Sequence, residues 1–363
     1  MSPFLCVIFL LCLSTLATAT KFDQVYEWDE LDYEWPAEAN RTKSLIDGTF
    51  KPEEMSPLYM AVFGSRLFLS LGSYNGIPVS LVTVPTSSTS TKNPKLTPFP
   101  SWDLHDYGKE GDCNKIEVAA GLQVDSIGRL WVLDSGSSEC KAKLWIIDLI
   151  NNDHTKLIHQ FVFRNWMHDL VLDETADGTF AYISRWGESH IVVFNLKRKR
   201  SWMVYTPPKI QVISIAISPN LEEPRKLYLG KWISEEVYSI SAATLRSGLT
   251  RRVKPKLIGK WKTTDPYRML IDNQGTMYSA FVFSNNTQSW NTSQPFQAQL
   301  FHEDEAAGLD SLFPFTIALD QNESIWLTVE HERSQKPRYR LLKVAVGEKS
   351  NDVLPGLPYS HLN

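Results

Sequence analysis

A short pattern that recurs along the chain constrains the fold more than any other feature of the sequence. Each copy has an apolar run, a turn built on Asp or another turn residue, and a second apolar run rich in aromatic residues. Four copies are clear and two are weaker, and their turns lie at Asp125, Asp173, Asp272 and Asp320, and at Gly64 and Pro219. Two pairs of consecutive turns, 125 with 173 and 272 with 320, are each 48 residues apart. The pattern indicates six units of about 50 residues.

Each unit has the composition of several short strands. Its apolar runs are rich in β-branched and aromatic residues and are bounded by Asp, Asn and Gly, which favour turns. Further runs of this kind lie between the copies: KLWIIDL, HIVVFNL, EVYSISAATL and YRLLKVAV. No long segment has a convincing 3.6-residue apolar period. The sequence therefore predicts an all-β fold, a six-bladed β-propeller with four-stranded antiparallel blades. Two separate β-sandwiches are the alternative, although they would lack this repeat.

The first residues predict export. An apolar run from Phe4 to Leu13 is followed by small residues up to Ala19, which is typical of a secretory signal peptide. A membrane-spanning helix needs about 20 apolar residues, so this run is short for one, and a retained anchor is the alternative. We predict a signal peptide at residues 1–19 and a single propeller domain with terminal extensions at residues 20–363. The mature protein is expected to be secreted, extracellular and not membrane-bound.

Export determines how the cysteines are interpreted. Cys6 and Cys12 lie in the predicted signal peptide, so the mature chain keeps Cys113 and Cys140. An even pair in an oxidising compartment predicts a disulfide rather than a catalytic thiol. Closing a loop of this length contributes roughly 3 kcal/mol in the chain-entropy model.

Four sequons agree with secretion. Each has the form N-x-[ST], which accepts N-linked glycans on exposed loops of secreted proteins. The predicted glycosylation sites are Asn40, Asn285, Asn291 and Asn322.

The overall composition gives no reason to expect a nucleic-acid partner. The chain is 43% hydrophobic and 21% charged, with a net charge of −4. Two basic runs, at residues 197–200 and 251–256, are interpreted as solvated turns. The sequence has no P-loop, no G-x-S-x-G and no H-E-x-x-H motif, and the acidic run at residues 302–305 lacks metal-ligand spacing. We therefore predict neither a metal nor a cofactor.

Several ordered segments carry a family resemblance. They are EWDELDYEWP, SLIDGTFKPEEMSP, SRLFLSLGSYNGIPVSLVTVP, PFPSWDLHDYGKEGDCNKIEVAAGLQVDSIGRLWVLDSGSSEC, DGTFAYIS, SIAISP and PRYRLLKV. In these segments the chain resembles the yellow/major royal jelly protein family of secreted insect proteins. The resemblance covers nearly the whole mature chain, and it implies a six-bladed propeller with a Cys113–Cys140 bridge.

The resemblance leaves the function open, because this family contains pigment and cuticle proteins, jelly proteins, dopachrome-converting enzymes and salivary proteins that bind biogenic amines. A propeller channel is a natural pocket for a small ligand, and an aromatic amine would need an aromatic wall and a carboxylate. The resemblance to amine-binding members points to Phe315, Glu330 and Glu332 as ligand-binding residues, with Arg185 as a further one. Glu330 stands where those members have Asn, and Phe315 replaces a small hydroxyl residue. The alternative is that both glutamates are solvated or pair with nearby arginines.

An enzyme of the dopachrome-converting type would need a base that removes a carbon-bound proton. His168 is the candidate, ahead of His105 and His190, although a purely structural histidine is the alternative at each position. Arg185 stands where the family commonly has Asp. A third alternative is an extracellular structural protein without a ligand. Together these observations favour a secreted propeller that binds a small ligand or acts structurally over an enzyme.

Overall fold

The computed structural model describes residues 21–72, 76–87, 89–105, 112–164, 166–219 and 224–346. The predicted signal peptide at residues 1–19 lies outside these ranges. Within them, the backbone forms six four-stranded antiparallel sheets and two short α-helices. The sheets surround a central channel, so the predicted all-β, six-bladed propeller is confirmed.

Five blades take four consecutive strands each, and the sixth combines both ends of the described chain. Blade 1 contains β2 (Pro57–Phe63), β3 (Arg66–Leu71), β4 (Leu81–Pro85) and β5 (Thr97–Pro98). Blade 2 contains β6 (Ala119–Val124), β7 (Arg129–Asp134), β8 (Lys143–Asp148) and β9 (His154–Gln160). Blade 3 contains β10 (Met167–Thr175), β11 (Gly178–Arg185), β12 (His190–Asn195) and β13 (Arg200–Tyr205). Blade 4 contains β14 (Val212–Ile217), β15 (Lys226–Lys231), β16 (Glu236–Ser241) and β17 (Lys256–Lys260). Blade 5 contains β18 (Pro266–Ile271), β19 (Thr276–Phe281), β20 (Asn286–Asn291) and β21 (Gln299–Glu303). Blade 6 contains β22 (Phe315–Leu319), β23 (Ser324–Glu330), β24 (Tyr339–Ala345) and the N-terminal strand β1 (Asp23–Trp28).

The helices are short and lie between blade elements. Helix α1 spans Glu38–Ile46 and α2 spans Ala242–Ser247, and 3₁₀ turns occur at Pro52–Glu54 and Trp102–Leu104. The run EVYSISAATL, expected to be one strand, instead divides at Ser241 into β16 and α2. Ala242 and Leu245 of the helix are buried, and Gly248 ends it in a left-handed conformation. Ala, Leu and Arg in α2 favour helix over strand, and the burial of Ala242 and Leu245 stabilises it.

The first strands of the blades line the channel and contact one another in sequence order. All six predicted turns join a first strand to a second strand, and they lie together on one side of the ring. We call this side the hairpin face; its turns are at Gly64, Asp125, Asp173, Pro219, Asp272 and Asp320. The opposite side, where first strands begin and second strands end, is the loop face.

The aspartate of the repeat has a structural role. One Asp125 carboxylate oxygen accepts a hydrogen bond from the backbone N–H of Arg129 (2.9 Å), and the other accepts from the Trp131 indole N–H (2.9 Å). Asp272 binds Tyr278 in the same way (3.1 Å), and Asp320 binds Trp326 (2.8 Å). Each carboxylate therefore closes its turn and satisfies the aromatic polar group that follows, which explains why Asp and aromatic residues recur together.

The predicted disulfide between Cys113 and Cys140 is present. The two Cα atoms are 5.3 Å apart, and the bridge joins the segment before β6 to the segment after β7. Nearby, the buried Lys143 ammonium lies 2.9 Å from Glu117 and 3.4 Å from Asp134. The bridge and this ion-pair cluster together fix the loop face of blade 2.

We predict that Asp125→Ala lowers the free energy of unfolding by about 2–4 kcal/mol, because it leaves the fully buried Trp131 N–H without an acceptor. Urea unfolding of the mature protein measures this change. Asp177→Ala, at an exposed hairpin position, is the matched control and should change stability little. Equal losses in both variants would contradict the assigned role of Asp125.

Candidate functional site

Aromatic rings from alternate blades meet on the channel axis near the loop face. Tyr59 of β2, His168 of β10 and Tyr267 of β18 come from blades 1, 3 and 5. The ring centroid of His168 lies 5.6 Å from that of Tyr59 and 5.0 Å from that of Tyr267. These three residues, with three more from the loops, form what we call the aromatic cluster; the loop residues are Trp186, Trp232 and Phe313.

The loop residues extend the cluster toward solvent. Trp186 packs on His168 with ring centroids 4.9 Å apart, and Phe313 stacks on Tyr267 at 4.0 Å. Trp186 also packs on Trp232 at 4.6 Å, and both tryptophans are half-buried. Their aromatic surfaces are thus partly available on the loop face, and the rings behind them are buried.

His168 is the polar group at the centre of this cluster. Its side chain is 4% exposed, and Nδ1 lies 2.7 Å from the Tyr59 hydroxyl. Nε2 is buried and has no hydrogen-bond partner among the described residues. Burial, with help from the positive charge of Arg268, lowers the pKa of His168 to about 3, and an interaction with the Ile213 backbone opposes this shift. The imidazole is therefore neutral at physiological pH, and when Tyr59 donates to Nδ1 the ring proton lies on Nε2.

The charged residues next to the cluster are already paired. Asp169 forms an ion pair with Arg268 and accepts backbone N–H groups from Leu170 (2.8 Å) and Ile215 (3.1 Å). These contacts connect β10, β14 and β18. Burial raises the pKa of Asp169 to about 6, and Arg268 opposes that shift. Asp169 therefore holds three blades together beside His168 and does not offer a free carboxylate.

Glu330 lies at the end of β23, where protein donors surround its carboxylate. Oε1 accepts from Arg338 (2.7 Å) and Tyr339 (3.3 Å), and Oε2 accepts from Ser56 (2.7 Å) and Ser311 (3.0 Å). The side chain is buried. Its structural role in joining β23, β24 and the segment before β2 is clear, whereas its role in binding an ammonium group stays a prediction.

The other three predicted ligand residues differ in their position relative to the aromatic cluster. Phe315 is buried between blades 5 and 6, near His302 with ring centroids 6.1 Å apart. Glu332 is exposed on the loop face. Arg185 immediately precedes Trp186 and lies 4.1 Å above the Phe163 ring, and burial lowers its pKa. The structure thus brings Arg185, unlike Phe315, next to the cluster, and the ligand roles of all three stay predictions.

Sequence reasoning named His168 but missed its aromatic neighbours, although the repeats contain a signal for two of them. Tyr59, His168 and Tyr267 each lie five residues before the turn of their repeat, at Gly64, Asp173 and Asp272. Phe315 has the same spacing from Asp320, yet its ring packs elsewhere. The strand β22 pairs with β23 without a register shift, whereas the other five first strands have one near their start. A bulge changes the direction in which the neighbouring side chains point. Because β22 has none, the side chain of Phe315 points in a different direction from those of Tyr59, His168 and Tyr267.

Comparison with known proteins gives the family. A family model described as Major royal jelly protein matches residues 118–211 and 209–336, which is more than half of the chain. The chain belongs to the major royal jelly protein family. The resemblance found in the sequence is thereby confirmed.

Individual relatives of this family are distant. The chain is 24% identical to Dopaminechrome tautomerase of Drosophila melanogaster, over 86% of this chain and 77% of that protein. It is 22% identical to Protein yellow of Drosophila erecta, over 85% of this chain and 64% of that protein, so it spans slightly less than two thirds of the yellow sequence. A solved structure titled "Streptogramin B lyase structure" aligns with 64% of this chain and 70% of its own, at 8% identity and a TM-score of 0.41.

Members of the major royal jelly protein family are typically secreted, in line with the predicted export of this chain. None of the helices in the described ranges is long and apolar enough to span a membrane.

The two other histidines considered as catalytic candidates lie outside the aromatic cluster. His105 is buried, and its Nε2 lies 2.8 Å from the Phe99 carbonyl oxygen. Burial lowers the pKa of His105 to about 4. His190 is buried beside Tyr205, with ring centroids 5.6 Å apart, and burial lowers its pKa also.

His105 generates a prediction about acid stability. Its pKa in the folded protein is about 4, below the ordinary value near 6.5, so between these values the unfolded chain binds the proton more tightly. Stability is therefore fully present above pH 6.5 and is lost as the pH falls toward 4, by roughly 2–3 kcal/mol for this residue. His105→Gln should reduce the stability difference between pH 7 and pH 4.5, measured by urea unfolding. The exposed His154→Gln control should preserve that difference, and an unchanged difference in His105→Gln would contradict the prediction.

Proposed function

We propose that this protein binds a small aromatic molecule at the aromatic cluster, at the loop-face end of the channel. The observation that supports this proposal is the buried Nε2 of His168, which has no partner among the described residues and is surrounded by aromatic rings. Ligand sites commonly combine apolar and aromatic walls with a few polar groups that fix the ligand's orientation. A ligand oxygen that accepts from Nε2–H would give this donor a well-aligned partner, which it lacks among the described residues.

The half-buried tryptophans indicate how such a ligand would be held. Trp186 and Trp232 offer ring faces that stack on an aromatic ligand and attract a nearby ammonium group. Glu332 is exposed on the loop face. Glu330 lies on the same face, but its carboxylate is buried among protein donors. An aromatic amine is therefore the first ligand to test, with its ring in the cluster and its ammonium toward the rim.

A second candidate function is the conversion of a dopachrome-type compound. It is favoured by the similarity to a relative named Dopaminechrome tautomerase and by the central position of His168. The pKa of about 3 argues against His168 as the base, because a general base works best with a pKa near the operating pH. This is why binding without turnover is the function we place first.

Calorimetric titration of the secreted protein with serotonin and with dopamine tests the proposal. We expect saturable heat at micromolar ligand, and His168→Gln should weaken binding about tenfold because the N–H donor at Nε2 is displaced. Tyr205→Phe, a half-exposed tyrosine outside the cluster, is the control and should bind normally. The absence of heat with either amine, or equal affinity in the His168 variant, would contradict amine binding at this site.

Two further measurements separate the alternatives. Glu330→Gln should weaken a cationic ligand more than a neutral analogue of the same shape, and equal effects would exclude an ion pair with Glu330. Spectrophotometric loss of dopaminechrome in the presence of the protein would support the isomerase instead, provided that His168→Gln abolishes it.

We also propose that the mature protein is secreted and glycosylated. Asn40, Asn291 and Asn322 are exposed, and Asn285 is half-buried in the turn just before β20. Mass spectrometry before and after enzymatic deglycosylation of protein secreted by insect cells should show a loss of mass at the exposed sequons. A quadruple Asn→Gln variant is the control and should show no such loss, whereas an unchanged mass of the unmodified sequence would contradict glycosylation.

A further inference from the structure

The channel has a second opening, on the hairpin face, that leads to a separate chamber. This cavity has a volume of about 330 Å³, which is within the range of small-molecule sites. The first strands of all six blades form its wall, which combines apolar side chains such as Met60, Leu122 and Met269 with a larger share of polar surface. The rings of Tyr59, His168 and Tyr267 are not part of the lining, so the chamber lies on the other side of the aromatic cluster.

Most charged groups in the chamber wall are compensated by the protein. Asp125 pairs with Arg129 (2.7 Å), and Arg225 pairs with Asp173. Asp320 accepts from the Trp326 indole N–H (2.8 Å) and from its own turn. These groups have fixed structural roles in the hairpins and are not available to a ligand.

Two glutamates at the mouth differ from these groups. Glu174 accepts hydrogen bonds from the Ser126 backbone N–H (2.9 Å) and hydroxyl, and Glu323 interacts with both the side-chain amide and the backbone of Asn273. The ion pairs found among the described residues include neither glutamate. The Oε2 atom of Glu323 is buried and has no hydrogen-bond partner in the described part of the chain. Burial, with the nearby negative charges of Asp272 and Asp320, raises the pKa of Glu323.

The positions of these glutamates are specific. Glu174 connects the hairpins of blades 2 and 3, and Glu323 connects those of blades 5 and 6, so the two lie on opposite sides of the ring. Glu323 also has a left-handed backbone (φ +58°), which costs free energy for a residue with a Cβ atom. The fold therefore holds an unpaired carboxylate oxygen at the mouth of the chamber.

Arg268 is a second, independent feature, and it lines the same cavity from the inner part of the wall. Its side chain is only 4% exposed, and its Nη1 pairs with Asp169. Its Nε–H is buried and has no acceptor among the described residues. A buried guanidinium N–H without a partner is costly, so an oxygen acceptor from a ligand would be favourable there.

We propose that the chamber binds an elongated small molecule with an ammonium group at one end and a carboxylate or hydroxyl oxygen at the other. The ammonium lies at Glu323, with Glu174 facing it across the mouth, and the oxygen lies at Arg268. No group of three or more His, Cys, Asp or Glu in the described ranges is placed to hold a metal ion, which favours an organic cation.

The length of the strand sets the size of this molecule. Arg268 and Asn273, the partner of Glu323, are five residues apart, which is at most about 16 Å because β18 ends at Ile271 and the chain turns there. Because the side chains of Arg268 and Glu323 are long, the distance that a ligand must span between the guanidinium and the carboxylate is shorter than this. An ω-amino acid with several methylene groups suits this distance, and its methylene groups would lie against the apolar side chains of Met60, Leu122 and Met269. An α-amino acid does not suit this distance, because its ammonium and carboxylate groups are attached to the same carbon.

Calorimetric titration of the mature protein with 6-aminohexanoate tests the proposal, with hexylamine and hexanoate as probes that each lack one end. We expect 6-aminohexanoate to bind more tightly than either, and Glu323→Gln to weaken it at least tenfold. Glu139→Gln removes the same charge at an exposed position outside both proposed sites and is the matched control, expected to leave this binding unchanged. Hexanoate binding should be insensitive to both substitutions because it has no ammonium group.

Three results would overturn the proposal: no saturable binding of 6-aminohexanoate, equal weakening by Glu323→Gln and Glu139→Gln, or equal effects of Glu323→Gln on 6-aminohexanoate and hexanoate. The test is independent of the loop-face site. Glu323→Gln should leave the binding of an aromatic amine at the aromatic cluster unchanged, so the two proposals can fail separately.

Discussion

The pairing of β1 with β24 is the interaction on which the rest of the structure depends, because it closes the ring. Five antiparallel residue pairs join the two strands, with a register shift after Gln24. Tyr26 and Trp28 of β1 are buried, each contributing about 2–3 kcal/mol of apolar burial, and their polar groups bind the Pro85 (3.0 Å) and Pro94 (2.8 Å) carbonyls. The N-terminal strand is thus held by both blade 6 and blade 1. If the ring opened, the side chains of Tyr26 and Trp28 would be exposed to water.

Ring closure matters for function because neither site in the channel belongs to a single blade. Tyr59, His168 and Tyr267 come from alternate blades and meet only when all six first strands converge. The buried pair Asp169–Arg268 crosses from blade 3 to blade 5 at the same level. Buried ion pairs often contribute little net stability, so the value of this one lies in fixing the relative positions of the strands.

The hairpin aspartates could be predicted from the sequence because their chemistry is local. Asp125 and Trp131 are six residues apart, and their hydrogen bond forms within one hairpin. The aromatic cluster depends on contacts between residues that are far apart in the sequence. Only the spacing of Tyr59, His168 and Tyr267, five residues before the turns of their repeats, is visible in the sequence. The register shift that separates Tyr267 from Phe315 is a property of strand pairing, which residue types alone do not reveal. The same limit applies to Trp186, whose backbone N–H is held by the Trp166 carbonyl (2.8 Å).

The two ends of the channel differ in chemistry, and the Asp169–Arg268 pair stands between them. On the loop-face side, aromatic rings surround a neutral histidine, and the nearby carboxylates are occupied by arginines. On the hairpin-face side, a wall of mixed polar and apolar side chains leads to a carboxylate oxygen without a partner in the described residues. A ligand that suits one environment leaves polar groups unpaired in the other, and such mismatches cost more than a lost apolar contact. The two proposed sites therefore call for different kinds of molecule, one at each end of the channel.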